Sequence, residues 1–187
     1  MSELQSESRR RLFFALWPAD EVRRQIEETT VGHARHSGGH VVPARNFHVT
    51  LVFVGEVTAQ QVEGVMAAGG ATSAQRFSMA FDQIESWPRS NVLVLNAART
   101  PAEMVTLVDH LLFNLLEKQV KLKREVYRPH VTLARQLPRL RPLQKIERIS
   151  WPVHEFALIE STNDAALGGS RGAEGARYTV LARWPLS

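Results

Sequence analysis

Hydrophobic and polar positions along the chain alternate between strand-like and helix-like segments. Residues 11–17, Arg-Leu-Phe-Phe-Ala-Leu-Trp, are almost continuously apolar, which predicts a buried strand. Pro18 then opens a mixed polar and apolar segment that predicts a helix over about residues 20–36. A second strand is predicted at residues 47–54 and is expected to end at Gly55.

The same alternation continues through the middle of the chain. Thr58 and Gln61 have the spacing of a helix capping box, which predicts a helix over about residues 58–68. Strand-like segments follow at residues 77–87 and 91–97, joined by a short turn. These segments predict a protein in which helices and strands are interspersed.

The most regular helical pattern follows Thr100. Thr100, Pro101 and Glu103 predict an N-cap, a proline in the first helical position and a capping box. The apolar residues beyond them recur at helical spacing and predict one buried face. They are Met104, Leu107, Val108, Leu111, Leu112 and Leu115.

Three signatures recur in the same order in the two halves of the chain. His-Val-Thr-Leu begins at His48 and again at His130, 82 residues later. Phe-x-x-Ile-Glu-Ser occupies residues 81–86 and 156–161, and the strand-helix units before each histidine have matching lengths. Such a long repeat, present twice, predicts two similar lobes related by a pseudo-twofold axis rather than a solenoid.

This duplication sets the expected domain organisation. We expect one two-lobed domain over residues 11–187, preceded by a polar, flexible leader at residues 1–10. A pseudo-twofold axis would bring the two histidine strands together across one cleft.

Each histidine is followed two positions later by a threonine. Residues i and i+2 of a strand share a face, so His48 and Thr50 point one way, as do His130 and Thr132. A single histidine in a strand is more often structural than catalytic. Two equivalent His-x-Thr pairs in a duplicated chain instead predict a functional site.

Paired imidazoles suit concerted proton transfer. With an ordinary pKa near ~6.5, one histidine can take a proton while the other gives one near neutral pH. In-line displacement at phosphorus needs a base for the attacking water and an acid for the departing oxygen. Threonine hydroxyls can donate to the phosphate oxygens and an arginine can balance their charge, so the chemistry requires no metal.

Composition excludes several other chemistries. The 187 residues are 44% hydrophobic and 22% charged, which is ordinary for a globular protein. The absence of cysteine excludes disulfides, thiolate metal sites and cysteine nucleophiles, and makes the reducing cytoplasm the expected location.

The net charge of +4 is unevenly distributed. Residues 118–145 contain nine basic residues and one acidic residue, a net charge of +8, which leaves −4 for the rest of the chain. The asymmetry suggests an anionic partner such as a phosphate or a nucleic acid, although a solvated basic face explains it equally well.

At these motifs the sequence resembles the 2H phosphoesterases, which carry two His-x-Thr/Ser-x motifs. Within them it is most similar to the bacterial RNA 2′,3′-cyclic phosphodiesterases, also called 2′-5′ RNA ligases. The likeness covers nearly the whole chain through four segments. These are Arg-Leu-Phe-Phe-Ala at 11–15, Asn-Phe-His-Val-Thr-Leu-x-Phe-x-Gly-Glu at 46–56, Arg-Pro-His-Val-Thr-Leu-x-Arg at 128–135 and Arg-Tyr-Thr-x-Leu-x-Arg-Trp at 177–184.

The resemblance implies an α+β fold with two pseudosymmetric lobes, each a mainly antiparallel sheet backed by helices, around a central cleft. It implies hydrolysis of RNA 2′,3′-cyclic phosphate ends to 2′-phosphates. His48 would be the proton donor and His130 the proton acceptor, with Thr50, Thr132 and Arg135 binding the phosphate. The residues themselves leave open which histidine is the acid, because pseudosymmetry makes them equivalent.

Arg135 lies five positions after His130, so a regular strand would aim it away from the histidine. We therefore expect the strand to end or bulge near Ala134. A solvated arginine in a basic segment remains the alternative. Arg128 is a further candidate for contact with the RNA backbone. Phe13 and Phe14 open a strand that could border the cleft, where one of them, with Phe14 as the candidate, could stack on a base, although core packing is the better expectation.

The remaining motifs give weaker predictions. His33, His36 and His40 invite a metal site, but no carboxylate or cysteine accompanies them, so we predict neither metal nor cofactor. The glycines at 168–175 favour a hairpin loop over a phosphate cradle. We expect a monomer without membrane association that acts on RNA ends or cyclic nucleotides. Ligation by the reverse reaction and non-catalytic binding of RNA ends remain alternative functions.

Overall fold

A computed structural model describes residues 9–122, 127–162 and 177–187 of the chain. The strands and helices alternate broadly as the sequence predicts. In chain order they are β1 (Arg10–Leu16), α1 (Asp20–His36), β2 (His40–Val41), β3 (Val49–Val57), α2 (Ala59–Ala71), β4 (Phe77–Trp87), β5 (Val92–Asn96), α3 (Ala102–Glu117), β6 (His130–Arg135), β7 (Gln144–Val153), β8 (Glu155–Thr162) and β9 (Arg177–Pro185).

The strands form two sheets in which all the pairings are antiparallel. The first sheet has the order β3-β1-β8-β9, and the second has the order β2-β6-β5-β4-β7. The α+β fold with two antiparallel sheets is confirmed.

The sheets share a three-stranded unit that reflects the duplication. The order β3-β1-β8 in the first sheet matches β6-β5-β4 in the second, with a histidine motif in β3 and β6 and the Phe-x-x-Ile-Glu-Ser motif in β8 and β4. The unit in the second sheet is contiguous in sequence. Its counterpart combines β1 and β3 with β8 from near the other end of the chain.

The helices join the two sheets through one continuous core. Helix α1 contacts β6 and β7 of the second sheet, while α2 and α3 pack on each other and on β3 of the first. The predicted apolar face of α3 is buried except for the half-buried Leu112. No helix in the described parts of the chain has the length and apolar character needed to span a membrane.

Local details differ from expectation at three points. Gly55 lies inside β3 rather than at its end, because its φ of 89° accommodates a register shift opposite Leu12. Helix α3 has Pro101 as its N-cap and no side-chain cap, so the predicted capping role of Thr100 is wrong. Arg10 is the first residue of β1 rather than the last of a leader, and residues 1–8 lie outside the described part of the chain.

Candidate active site

Both histidines lie where their strands begin. His48 immediately precedes β3, and His130 is the first residue of β6. Both are half-buried, as are Thr50 and Thr132, whereas the alternating valines and leucines are buried in the core. Packing of the apolar alternates therefore fixes each His-Thr pair on the opposite face of its strand.

The two imidazoles are held in the same way. His48 Nδ1–H donates to the carbonyl oxygen of Asn46 at 2.7 Å, and His130 Nδ1–H donates to that of Arg128 at 2.7 Å. Because each acceptor is a carbonyl, the proton lies on Nδ1 when the ring is neutral. Nε2 of each ring is then the atom that can exchange a proton with a substrate.

Three aromatic rings surround His48. The Trp17 ring stacks on the imidazole with centroids 5.7 Å apart and an interplanar angle of 14°. Phe13 and Tyr178 lie at centroid distances of 5.0 Å and 5.2 Å. These rings come from β1, its C-terminal end and β9, so the first sheet encloses His48 in an apolar wall.

A different set of groups surrounds His130. The Trp87 ring lies 4.3 Å from the imidazole, centroid to centroid, and Cζ of Arg128 lies 4.5 Å from the centroid of the same indole. The Glu85 carboxylate accepts from Trp87 Nε1 at 2.7 Å and lies 3.6 Å from Arg128 Nη2. The second sheet therefore gives its histidine one aromatic neighbour and a charged border.

A bulge brings Arg135 onto the histidine face of β6. Along β5, Leu93 pairs with Ala134 but the next residue, Val94, pairs with Thr132, so Leu133 has no partner on β5. This extra residue reverses the alternation, as the predicted bulge requires. Arg135 is exposed, and its charge lowers the pKa of both histidines, which indicates that it lies near each of them.

The bulge has a counterpart in the first lobe. Thr50 and Val52 pair with consecutive residues of β1, so Leu51 is the extra residue of β3. Phe53 then occupies the position equivalent to Arg135, is 37% exposed and lies under the guanidinium of Arg11. The duplication thus includes the β-bulge, but the equivalent position after it holds an aromatic ring, Phe53, in one lobe and a cation, Arg135, in the other.

Burial lowers the pKa of both catalytic candidates. Desolvation lowers the pKa of His48 to about 4, against the opposing hydrogen bond to Asn46, with further lowering by Arg135 and His130. The pKa of His130 is lowered first by desolvation and then by Arg135 and Arg128, against the hydrogen bond to the Arg128 carbonyl. Both imidazoles are therefore neutral near pH 7 when the cleft is empty, and an anion between them would favour protonation.

The predicted site residues have different outcomes. The structure brings His48, His130 and Arg135 into electrostatic contact, and their chemical roles stay predictions. Phe14 is fully buried against Phe156 and Trp184, so the favoured expectation of core packing is confirmed and the alternative, that it stacks on an RNA base, is wrong.

The remaining predictions concern surface groups. The side chain of Arg128 is 59% exposed but engaged with Trp87 and Glu85, and its contact with RNA stays a prediction. In the described ranges, no group of three or more His, Asp or Glu side chains is placed to bind a metal ion. The glycine-rich segment at 168–175 lies outside those ranges.

Sequence reasoning placed Phe13 at the border of the cleft but missed Trp17, Trp87 and Tyr178 as neighbours of the histidines. Trp17 directly follows β1 and has the same strand parity as Phe13, so alternation would have paired the two rings. Trp87 precedes a proline, a pattern that favours packing in a turn and hides its contact with His130. Tyr178 lies in the fourth segment of the resemblance, but its neighbour His48 is 130 residues away, so no local pattern links them.

Two antiparallel sheets each present one His-x-Thr pair, which is the arrangement that the resemblance to the 2H phosphoesterases implies. The family model described as LigT-like phosphoesterase matches residues 16–94. The chain is therefore similar to the LigT-like phosphoesterases over this segment.

Two relatives match almost end to end. The RNA 2′,3′-cyclic phosphodiesterase of Escherichia coli K12 is 29% identical over 178 residues, which cover 95% of this chain and 97% of that protein. The protein of the same name from Thermus thermophilus is 28% identical, with coverage of 94% and 90%. The crystal structure of E. coli LigT complexed with 3′-AMP has a TM-score of 0.83, 29% identity and coverage of 96% of this chain and 99% of that one.

Proposed function

We propose that this protein hydrolyses the 2′,3′-cyclic phosphate at the 3′ end of RNA and leaves a 2′-phosphate. The observation that carries the proposal is the pair of equivalent imidazoles, each fixed through Nδ1 by a backbone carbonyl and electrostatically coupled to Arg135. The names of the E. coli and T. thermophilus relatives support the same substrate.

The reaction uses one proton transfer at each histidine. His130 Nε2 accepts a proton from water as the water oxygen bonds to phosphorus. The bond from phosphorus to the 3′ oxygen breaks, and His48 Nε2–H gives its proton to that oxygen. The family resemblance assigns these roles, and the matched hydrogen bonds at Nδ1 leave Nε2 available in both rings.

The other groups stabilise charge on the phosphate. Thr50 and Thr132 donate hydrogen bonds to its non-bridging oxygens, and Arg135 balances the charge that develops on them. Since the pKa of His48 is about 4 in the empty cleft, His48 must gain its proton together with the anionic substrate. Substrate binding and protonation of the acid are therefore coupled.

A cyclic-phosphate oligonucleotide tests the proposal. The protein is incubated with RNA ending in a 2′,3′-cyclic phosphate in the presence of EDTA, and the position of the product phosphate is determined. We expect a 2′-phosphate, with its formation lost in His48→Ala and His130→Ala and retained in a matched control, His154→Ala, which removes an exposed histidine. Absence of turnover, or turnover indifferent to His48→Ala and His130→Ala, would exclude the mechanism.

The same assay decides between the alternative functions. Joining of paired RNA halves faster than hydrolysis would favour 2′-5′ ligation, although water at ~55 M favours hydrolysis unless a second RNA strand is held in place. Salt-dependent RNA binding without turnover would favour a non-catalytic binder. Solved complexes of E. coli LigT contain ATP and NADP+, so nucleotides are included as competitors. A monomeric state and a cytoplasmic location stay predictions.

A further inference from the structure

We propose that Glu85 is a positioning residue for His130 and acts through Trp87 and Arg128. The inference rests on the proposed function, in which His130 exchanges a proton with the attacking water. It assigns a role to a carboxylate that contacts the neighbours of His130.

Two hydrogen-bond donors and one cation converge on a single oxygen of Glu85. Its Oε1 accepts from Trp87 Nε1 at 2.7 Å and from Asn96 Nδ2 at 2.8 Å, and it lies 3.6 Å from Arg128 Nη2. The Glu85 side chain is only 21% exposed, so solvent screening of these contacts is limited. One carboxylate oxygen can accept both hydrogen bonds through its two lone pairs, and its negative charge attracts the guanidinium of Arg128.

Each of these groups is also connected to His130. The Trp87 indole packs on the imidazole at 4.3 Å, and the backbone carbonyl of Arg128 accepts the Nδ1 proton. Asn96 is the residue directly opposite His130 in the pairing of β5 with β6. Glu85 therefore contacts three neighbours of His130. These are Trp87, whose ring packs on the imidazole, Arg128, whose carbonyl fixes the tautomer, and Asn96, which lies opposite His130 in the sheet.

The duplication supplies a matched control. Glu160 occupies the equivalent position in the second Phe-x-x-Ile-Glu-Ser motif, but its two oxygens pair with Arg10 Nε and Nη2, each at 2.7 Å. Its nearest sheet partners, Leu12 and Thr179, are not the residues that contact His48. Substitution of Glu160 therefore removes an equivalent carboxylate that makes no contact with the neighbours of His48 described above.

The first measurement is independent of enzyme activity. In Glu85→Ala, release of the indole changes the ring-current shift that Trp87 imposes on the His130 ring protons, and NMR of the free protein reads that shift. We expect the His130 resonances to move in Glu85→Ala and to stay in place in Glu160→Ala. Unchanged His130 resonances in Glu85→Ala would overturn the proposal even if the protein proved inactive on RNA.

The second measurement separates positioning from substrate binding. With a cyclic-phosphate oligonucleotide we expect Glu85→Ala to lower kcat about tenfold with KM within about twofold of the wild type, because a misplaced base slows only the chemical step. Glu85→Gln retains a carbonyl oxygen for the indole and should recover part of the lost kcat, and it also serves if Glu85→Ala folds poorly. A wild-type kcat in Glu85→Ala would refute positioning.

A double-mutant cycle tests the route. Trp87→Phe keeps an aromatic ring but removes the N–H that Glu85 binds. If Glu85 acts through this indole, Glu85→Ala combined with Trp87→Phe should be little worse than Glu85→Ala alone. Losses that multiply would show that the two residues act independently and would exclude the route through Trp87.

Discussion

Protonation of His48 should destabilise the folded protein at acid pH. The folded-state pKa of about 4 lies below the ordinary value of 6.5, so the unfolded chain binds the proton more tightly. Stability that is present above pH 6.5 is therefore lost as the pH falls towards 4. At 1.36 kcal/mol per pKa unit, the difference corresponds to about 3 kcal/mol of unfolding free energy.

Substitution by an uncharged residue isolates this contribution. Urea unfolding of the wild type and of His48→Gln, measured at pH 7 and at pH 4, gives the pH-dependent loss of stability in each. We expect the wild type to lose about 3 kcal/mol more than His48→Gln, because the glutamine has no proton to gain. His154→Gln, which replaces an exposed histidine, is the matched control and should behave as the wild type.

Equal losses in the wild type and in His48→Gln would refute the reasoning. That result would mean that the aromatic wall of Phe13, Trp17 and Tyr178 does not desolvate the imidazole. NMR titration of the His48 ring protons provides an independent check, with a midpoint near pH 4 expected for the empty cleft. Saturation with a 2′-phosphate nucleotide should move that midpoint upward, because an anion favours the protonated ring.

Two further predictions concern packing and charge. Gly69→Ala should lower the free energy of unfolding in urea by about 1–3 kcal/mol, because the added Cβ would lie 2.5 Å from Cη2 of Trp184. Gly32→Ala, whose Cβ would have nothing within 4 Å, should raise it by about 1 kcal/mol. If Gly69→Ala were no less stable than Gly32→Ala, the close approach of Trp184 to Gly69 would be contradicted. Arg135→Ala should lower kcat about a hundredfold and raise the pKa of both histidines in NMR titrations, and the exposed Arg139→Ala should do neither. Unchanged kinetics in Arg135→Ala would show that Arg135 is a solvated surface residue with no role at the phosphate.

The sequence predicted most of what depends on local periodicity. Strand alternation and capping signals placed β4 and α2 within a few residues, because neighbouring side chains decide those structures. The unfavourable parity of Arg135 predicted a bulge near Ala134, and β6 contains one at Leu133. The repeat of His-Val-Thr-Leu predicted two related lobes.

Contacts between distant segments could not be predicted in this way. Trp17 and Tyr178 meet at His48 only because β8 pairs with both β1 and β9 and so brings β9 into the same sheet, and no pattern within either segment encodes those pairings. The stacking role predicted for Phe14 is wrong for the related reason that strand parity separates two faces without telling which one borders the cleft. Glu85 was visible as part of a repeat, but its partners become apparent only in the folded sheet.

The strand order also has a consequence for how the chain folds. Strands β4, β5 and β6 follow one another in sequence, whereas β1 pairs with β8 from near the other end of the chain. The ion pair between Arg10 and Glu160 accordingly links positions 150 residues apart. Closing so long a loop costs more chain entropy than forming a hairpin, and distant contacts slow folding. We therefore expect the half of the cleft around His130 to form early and the half around His48 to form last. Enzymatic activity should then return only in the slowest phase of refolding.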